Sequence, residues 1–233
     1  MPPIRHKLHD WNLTPKEAVA LQRELASRVD TSTPLGKLGL VAGCDVSYDR
    51  GSPWLYAAVV AVQVADLTAV ESVVVRAEVK FPYVPGLLSF REAPPVLAAW
   101  EKLRVEPDAV MLDAQGIAHP RRFGLACHLG LWLDRPCVGC AKSRLVGVYD
   151  EPGPDPGDTA PLTVRGEPVG VVLRSAARAR PVFVSPGHRV DLEGAVAVVR
   201  ATLSGYRQPV PTRLAHIAAN QARAAGEASG RTV

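Results

Sequence analysis

Apolar and β-branched residues gather in three runs in the first half of the chain, Leu38 to Tyr48, Leu55 to Val64 and Val70 to Val79. The segments between them, Asp49-Arg50-Gly51-Ser52-Pro53 and Ala65-Asp66-Leu67-Thr68, are turn-forming and too short for a crossover, so an antiparallel meander is expected. Ahead of it, Thr14-Pro15-Lys16-Glu17 has the form of a capping box with proline at the first helical position, and predicts a helix to about Val29. Beyond it, Pro82-Tyr83-Val84-Pro85-Gly86 is a loop by its prolines. An amphipathic stretch from Leu88 to Arg104 then predicts a helix that bends or restarts at Pro94-Pro95. The pattern continues with a strand at Ala109 to Asp113, a helix at Arg121 to Leu133 and a strand at Pro136 to Ala141. Glu151 to Asp158 is an exposed loop by its Pro, Gly and Asp content. Val169 to Leu173 and Pro181 to Ser185 predict strands, and Leu192 to Ser204 and Pro211 to Ala225 predict helices.

A strand, a helix and a strand in succession imply a right-handed parallel crossover, so the sheet is expected to be mixed. Three antiparallel strands followed by α-β-α-β resemble the ribonuclease H-like order, in which the first and fourth strands are neighbours. The expected fold class is α/β: a ribonuclease H-like mixed sheet flanked by helices, in a single domain. That domain is expected over residues 13–225, with residues 1–12 and 226–233 as mobile ends, because neither end has an apolar period.

At 233 residues and 47% hydrophobic composition the chain can bury a sizeable core. A formal charge of +4 permits a polyanionic partner without requiring one. Four cysteines, Cys44, Cys127, Cys137 and Cys140, fall in or beside expected strands and a helix, and no apolar secretory segment precedes them, which fits a reduced cytoplasm. Cys137-Val-Gly-Cys140 has zinc-like spacing, but a structural zinc site needs a second ligand pair and only His128 is near, so the cysteines are taken as small buried apolar residues. No apolar stretch approaches the roughly 20 residues of a membrane span.

The candidate chemistry centres on Met111 to Phe123, where an apolar run delivers Asp113 into a loop holding Gly116, His119, Arg121 and Arg122. Asp45 lies in an equivalent setting near the end of the first run. If the first and fourth strands pair, the two carboxylates emerge together, and their repulsion suits a divalent cation. A lone aspartate at a strand end is ordinarily a turn residue; two in matching positions favour the metal. Glu92 is either a third ligand or a favourable charge at a helix start, and the pattern alone favours the second. Lys142 follows a strand and would either stabilise a pentacovalent phosphate or be solvated. His119 would orient water or phosphate, or cap the next helix. Walker A, Gly-x-Gly-x-x-Gly and Gly-x-Ser-x-Gly signatures are absent, leaving metal-activated water on a phosphodiester as the economical mechanism.

Asp45-Val-Ser-Tyr48, Pro82-Tyr-Val-Pro-Gly-Leu-Leu-Ser-Phe-Arg-Glu92, Asp113-Ala-Gln-Gly-Ile-Ala-His-Pro-Arg-Arg122, Ala141-Lys-Ser143, Gly187-His188 and Pro211-Thr-Arg-Leu-Ala-His216 together resemble the ordered motif set of the endonuclease V family, from about Leu13 to His216. The resemblance implies a DNA repair nuclease that uses Mg²⁺, with Mn²⁺ as substitute, and cuts the second phosphodiester 3′ to deoxyinosine, leaving 3′-hydroxyl and 5′-phosphate. It further implies Asp45, Glu92 and Asp113 as metal ligands with His216 beside them, and Lys142 on phosphate. Pro82, Tyr83, Val84 and Pro85 would form a strand-separating wedge, and Gly86, Leu88, Gly116 and His119 a pocket for the extruded base. A proline-stiffened wedge also makes physical sense, because it inserts side chains into a base stack with little ordering cost. Two positions depart from the family pattern: Ala114 stands where glycine is usual and Cys140 where a small aliphatic is usual. The expected partner is deoxyinosine-containing DNA, with no membrane, and the chain is expected to be a monomer. The alternatives are inosine-containing RNA as substrate, the related incision domain of an excision-repair nuclease, and a non-catalytic binder of damaged nucleic acid.

Overall fold

The computed structural model describes residue 4 and residues 7–226. The first element, α1 (Pro15–Ala26), carries the expected capping box: the Glu17 amide donates to the Thr14 hydroxyl oxygen, and the Thr14 amide donates to the Glu17 carboxylate. The meander follows as β1 (Leu40–Ser47), β2 (Trp54–Gln63) and β3 (Ala69–Glu78). Then come α2 (Leu88–Trp100), β4 (Ala109–Leu112), α3 (Leu125–Leu133) and β5 (Cys137–Ala141). The last part contains β6 (Thr159–Val164), β7 (Glu167–Leu173), β8 (Val182–His188), α4 (Leu192–Arg200) and α5 (Val210–Ala225).

These strands form one eight-stranded sheet in the order β3-β2-β1-β4-β5-β8-β7-β6. β4 runs parallel to both its neighbours, Met111 lying beside Gly43 on β1 and Val138 on β5; the other pairs are antiparallel. The mixed sheet and the adjacency of first and fourth strands are as the ribonuclease H-like order requires. On one face, α2 and α3 bring Val96, Trp100, Leu129 and Trp132 into a cluster with Val59 and Leu112. On the other, α4 places Val198 with Val184, and α5 places Ala215 and Ala219 with Ala58 and Val60. β4 and β5 are buried along their whole lengths, which explains their unbroken apolar runs. α1 packs outside this sandwich, with Leu25 against Phe123, Cys127 and Leu131.

Several expectations need correction. α2 runs without interruption through Pro94 and Pro95, although the two rings remove amide donors. Burial of Ala93, Val96, Leu97 and Trp100 against the sheet holds the helix in place of those bonds. α3 begins at Leu125 rather than Arg121, because Arg122 sits at φ 54° and its amide donates to the His119 carbonyl at 2.9 Å, closing a tight turn ahead of the extended cap Gly124. β6 was unexpected, its pattern being masked by Pro161 and polar residues. It pairs with β7 through Arg165-Gly166, both at positive φ, which suits a two-residue hairpin.

Part of the amino end packs on the core. Trp11 stacks on Trp132 at 5.3 Å between centroids and 17° between planes, and His9 Nε2 lies 2.6 Å from His128 Nε2. Leu8 and Trp11 are packed against the main core cluster, so apolar contact, without any helical or strand period to announce it, holds this part of the segment. Residues 1–3, 5–6 and 227–233, which contain most of the tail expected to be mobile, lie outside the described residues. All four cysteines are buried with free thiols, and burial pushes the Cys127 thiol up to about 12. Among the described residues no helix is long and apolar enough to cross a membrane.

Candidate active site

Cys44 on β1 pairs with Leu112 on β4, and the residue after each is acidic. The Asp113 amide donates to the Cys44 carbonyl at 3.4 Å, so Asp113, just past β4, lies beside Asp45, which is still within β1 and pairs with Ala58 on β2. Glu92, early in α2, is the third carboxylate. All three border a small cavity closed by Cys44, Val46, Val96, Leu112 and Leu125. Its volume of about 10 Å³ is near the least that admits one water-sized sphere.

The electrostatics of this cluster are strongly unbalanced. Burial, and then the charge of Asp113, holds the Asp45 carboxyl above its ordinary range, against the opposing pull of His216 and Lys142. Glu92 is pushed up to about 8 by burial and then by Asp45. Burial is the larger cause at both groups, and repulsion between the carboxyls adds to it. Two basic residues, Lys142 and His216, reach the cluster. Lys142, one residue past β5, places Nζ 2.5 Å from Asp113 Oδ2. His216 on α5 places Nδ1 2.7 Å from Asp45 Oδ2. Among the described residues no three His, Cys, Asp or Glu groups are drawn together closely enough to grip an ion. Three carboxyl groups around room for one small sphere nevertheless fit a hard divalent cation.

The position of His216 follows from Gly43. A Cβ at that glycine would lie 2.0 Å from the Pro211 backbone, so only glycine lets the start of α5 press onto β1. Asn220, one turn after His216, donates to the His216 carbonyl at 2.8 Å and accepts from Ser47 Oγ at 2.8 Å. Gln208 donates its amide to Asp113 Oδ2 at 3.2 Å. Sequence reasoning identified neither. The i,i+4 spacing of His216 and Asn220 on one helix was an available signal; nothing marked Gln208.

The proline loop stands beside this cluster with Tyr83 63% exposed at its tip. Its base is fixed at Gly86, whose φ of 78° favours glycine and whose carbonyl accepts from Gln22 Nε2 at 3.1 Å, His119 Nε2 at 3.1 Å and Arg121 Nη2 at 2.6 Å. Burial, followed by the Arg121 charge, lowers the His119 imidazole to about 4. It is therefore neutral, accepting from the Arg121 amide at Nδ1 and donating from Nε2. A cleft of about 370 Å³ extends from Tyr83, Val84, Pro85 and Gly86 past Leu88, Ala114 and His119 to Asp113 and Lys142. Pro82 lies outside this lining.

Gly116, expected in the base pocket, does not line the cleft either. A Cβ there would lie 2.0 Å from the Pro186 carbonyl oxygen, so its glycine serves the close approach of this loop to β8. Gln115 is the neighbour that lines the cleft, and it donates to the Ser143 carbonyl at 2.8 Å. Ala114 is buried and does not adopt positive φ, so its methyl group causes no backbone strain. Cys140 is buried in the core and leaves the neighbouring Lys142 unobstructed.

A ribonuclease H-like sheet whose adjacent parallel strands β1 and β4 bring two aspartates together, beside a lysine and an open cleft, defines a phosphodiester-cleaving nuclease. The chain belongs to the endonuclease V family, whose sequence pattern matches residues 23–217. It is 47% identical to endonuclease V of Dehalococcoides mccartyi strain CBDB1 over 215 residues, covering 92% of this chain and 96% of that protein. The crystal structure of endonuclease V from Streptomyces avermitilis superposes with a TM-score of 0.88 at 43% identity, over 93% of this chain and 96% of the other. Endonuclease V of Ciona intestinalis, in complex with DNA containing an inosine followed by a ribo-adenosine, superposes with a TM-score of 0.81 at 26% identity, over 92% of this chain and all of the other (100%).

Proposed function

We propose that this endonuclease acts on DNA containing deoxyinosine, cutting the second phosphodiester 3′ to the lesion and leaving 3′-hydroxyl and 5′-phosphate. The observation that carries the reading is the continuity of the cleft: the same wall that holds the wedge and His119 ends at Asp113 and Lys142. Tyr83 is suited to enter a base stack, since the loop behind it is stiffened by proline and held at the Gly86 carbonyl. An extruded base then has the space between Gly86, Leu88 and His119 to occupy, at an unstacking cost of a few kcal/mol, less for a mismatched base.

Asp45, Glu92 and Asp113, with His216 beside Asp45, would hold Mg²⁺, or Mn²⁺ in its place, which supplies Lewis acidity and an activated water nucleophile. Lys142 offers an ammonium to the phosphate, where negative charge grows during attack. Gln208 and Lys142 orient Asp113, and His216 orients Asp45. Incubation with Mg²⁺ and an oligonucleotide bearing one deoxyinosine tests the proposal: a product displaced by one nucleotide on the 3′ side supports it, and an uncut strand overturns it. Inosine-containing RNA is a second reading, favoured by the ribo-adenosine next to inosine in the Ciona complex. Rates on matched deoxy and ribo strands separate the two.

A further inference from the structure

The connection between α4 and α5 touches the carboxylate cluster yet presents an aromatic ring to solvent. Arg207 donates from its guanidinium to the carbonyls of Lys142, Pro181 and Arg180, which fixes the connection against the ends of β5 and β8. Gln208, next in sequence, bonds Asp113. Tyr206, immediately before them, is 53% exposed, and the Arg213 guanidinium carbon lies 3.8 Å from its ring centroid. Arg213 itself stands in the first turn of α5, three residues ahead of His216, the partner of Asp45. The Tyr206–Arg213 pair is thus tied to both aspartates through short lengths of anchored chain.

A stiff exposed ring beside a cation is the combination that holds single-stranded nucleic acid, one base stacking on the ring while arginine meets the backbone. Its place relative to the cleft gives it a direction. Tyr83 and the proline loop line the cleft on one side of Asp113 and Lys142, whereas no residue of 203–209 lines it. Tyr206 therefore lies outside the cleft that Tyr83 lines, on the connection whose Gln208 bonds Asp113. We propose that Tyr206 and Arg213 form a stacking platform for the DNA strand beyond the cut, on its 3′ side. The platform has no base preference, because every base has a π face. It rests on the deoxyinosine-cleaving reading above.

The test compares wild type, Tyr206→Ala, Arg213→Ala and Tyr206→Trp on two single-stranded deoxyinosine oligonucleotides with identical 5′ arms. One ends just past the cut, and the other continues for about ten nucleotides, within the usual reach of a single-strand site. On the long strand the two alanine variants raise KM by roughly fivefold or more with kcat nearly unchanged, the loss expected for one stacked base. On the short strand they match wild type, and Tyr206→Trp matches it on both. Equal losses on the two strands, or none on either, overturn the platform while leaving the activity in place. Wild-type protein that cuts neither strand overturns the deoxyinosine reading and the platform with it.

Discussion

Lys142 Nζ lies 2.5 Å from Asp113 Oδ2 although the two residues leave different strands. Asp113 follows Leu112 on β4, and Leu112 pairs with Gly139 on β5, so parallel register brings the lysine to the carboxylate. The contact holds Asp113 in place and keeps an ammonium at the mouth of the cleft. Lys142→Ala is expected to lower the single-turnover cleavage rate by about 10²–10³, the usual loss for one transition-state donor. A change confined to KM would argue against that role.

Asp45→Ala and Asp113→Ala should each abolish cutting and leave binding to a deoxyinosine strand largely intact. Gel-shift affinity and cleavage are the paired measurements; turnover at the wild-type rate by either variant contradicts the metal assignment.

Glu92 titrates upward in the fold, to about 8, so the metal-free protein is most stable with this group protonated. That contribution is complete below the unfolded value near 4.5 and is lost as pH rises through about 8. In the presence of a chelator, Glu92→Gln should raise Tm at pH 8 by roughly 2–4 °C, what about 1 kcal/mol shifts in a chain of this size. The gain should vanish at pH 4, and unchanged melting at both pH values would count against the buried charge.

His119 moves the other way. Its folded value of about 4 lies below the ordinary 6.5, so the neutral ring contributes stability present above pH 6.5 and lost as pH falls towards 4. Melting curves of His119→Gln should flatten across that window, whereas a slope identical to wild type would show that the imidazole is not held neutral.

The wedge role proposed for the proline loop distinguishes duplex from single-stranded substrate. Tyr83→Ala removes the exposed tip and should depress cleavage of duplex substrate several-fold more than cleavage of the same strand unpaired. Gly86→Ala, which forces a methyl group onto a positive φ and within 2.7 Å of Arg121 Nη2, should lower stability by about 1–2 kcal/mol. Equal effects of Tyr83→Ala on both substrates would deny it a strand-opening role.

The order of elements made the pairing of β1 with β4 legible, and with it the meeting of Asp45 and Asp113, because topology rules leave few places for a fourth strand after a meander. Motif spacing made Glu92, Lys142 and His216 legible as members of a resemblance. Gln208 and Arg207 were not, since their contacts with Asp113 and Lys142 cross 95 and 65 residues of chain and depend on how an irregular connection folds. The packing of Gly116 was not legible for a similar reason: a glycine in a pocket and a glycine against a neighbouring strand look alike in sequence, and only its approach to Pro186 shows the second. β6 was hidden because an edge strand with Pro161 carries little apolar alternation.

The docked amino end acts as an outer brace for α2, the helix that carries Glu92. Ser89 bonds His128, His128 meets His9, and Trp11 and His9 pack on Phe90, two residues from Glu92. A chain trimmed to begin at Leu13 would keep every motif of the family and still lose the aromatic packing on Phe90, so a truncation invisible to motif searching is expected to loosen the helix that carries Glu92.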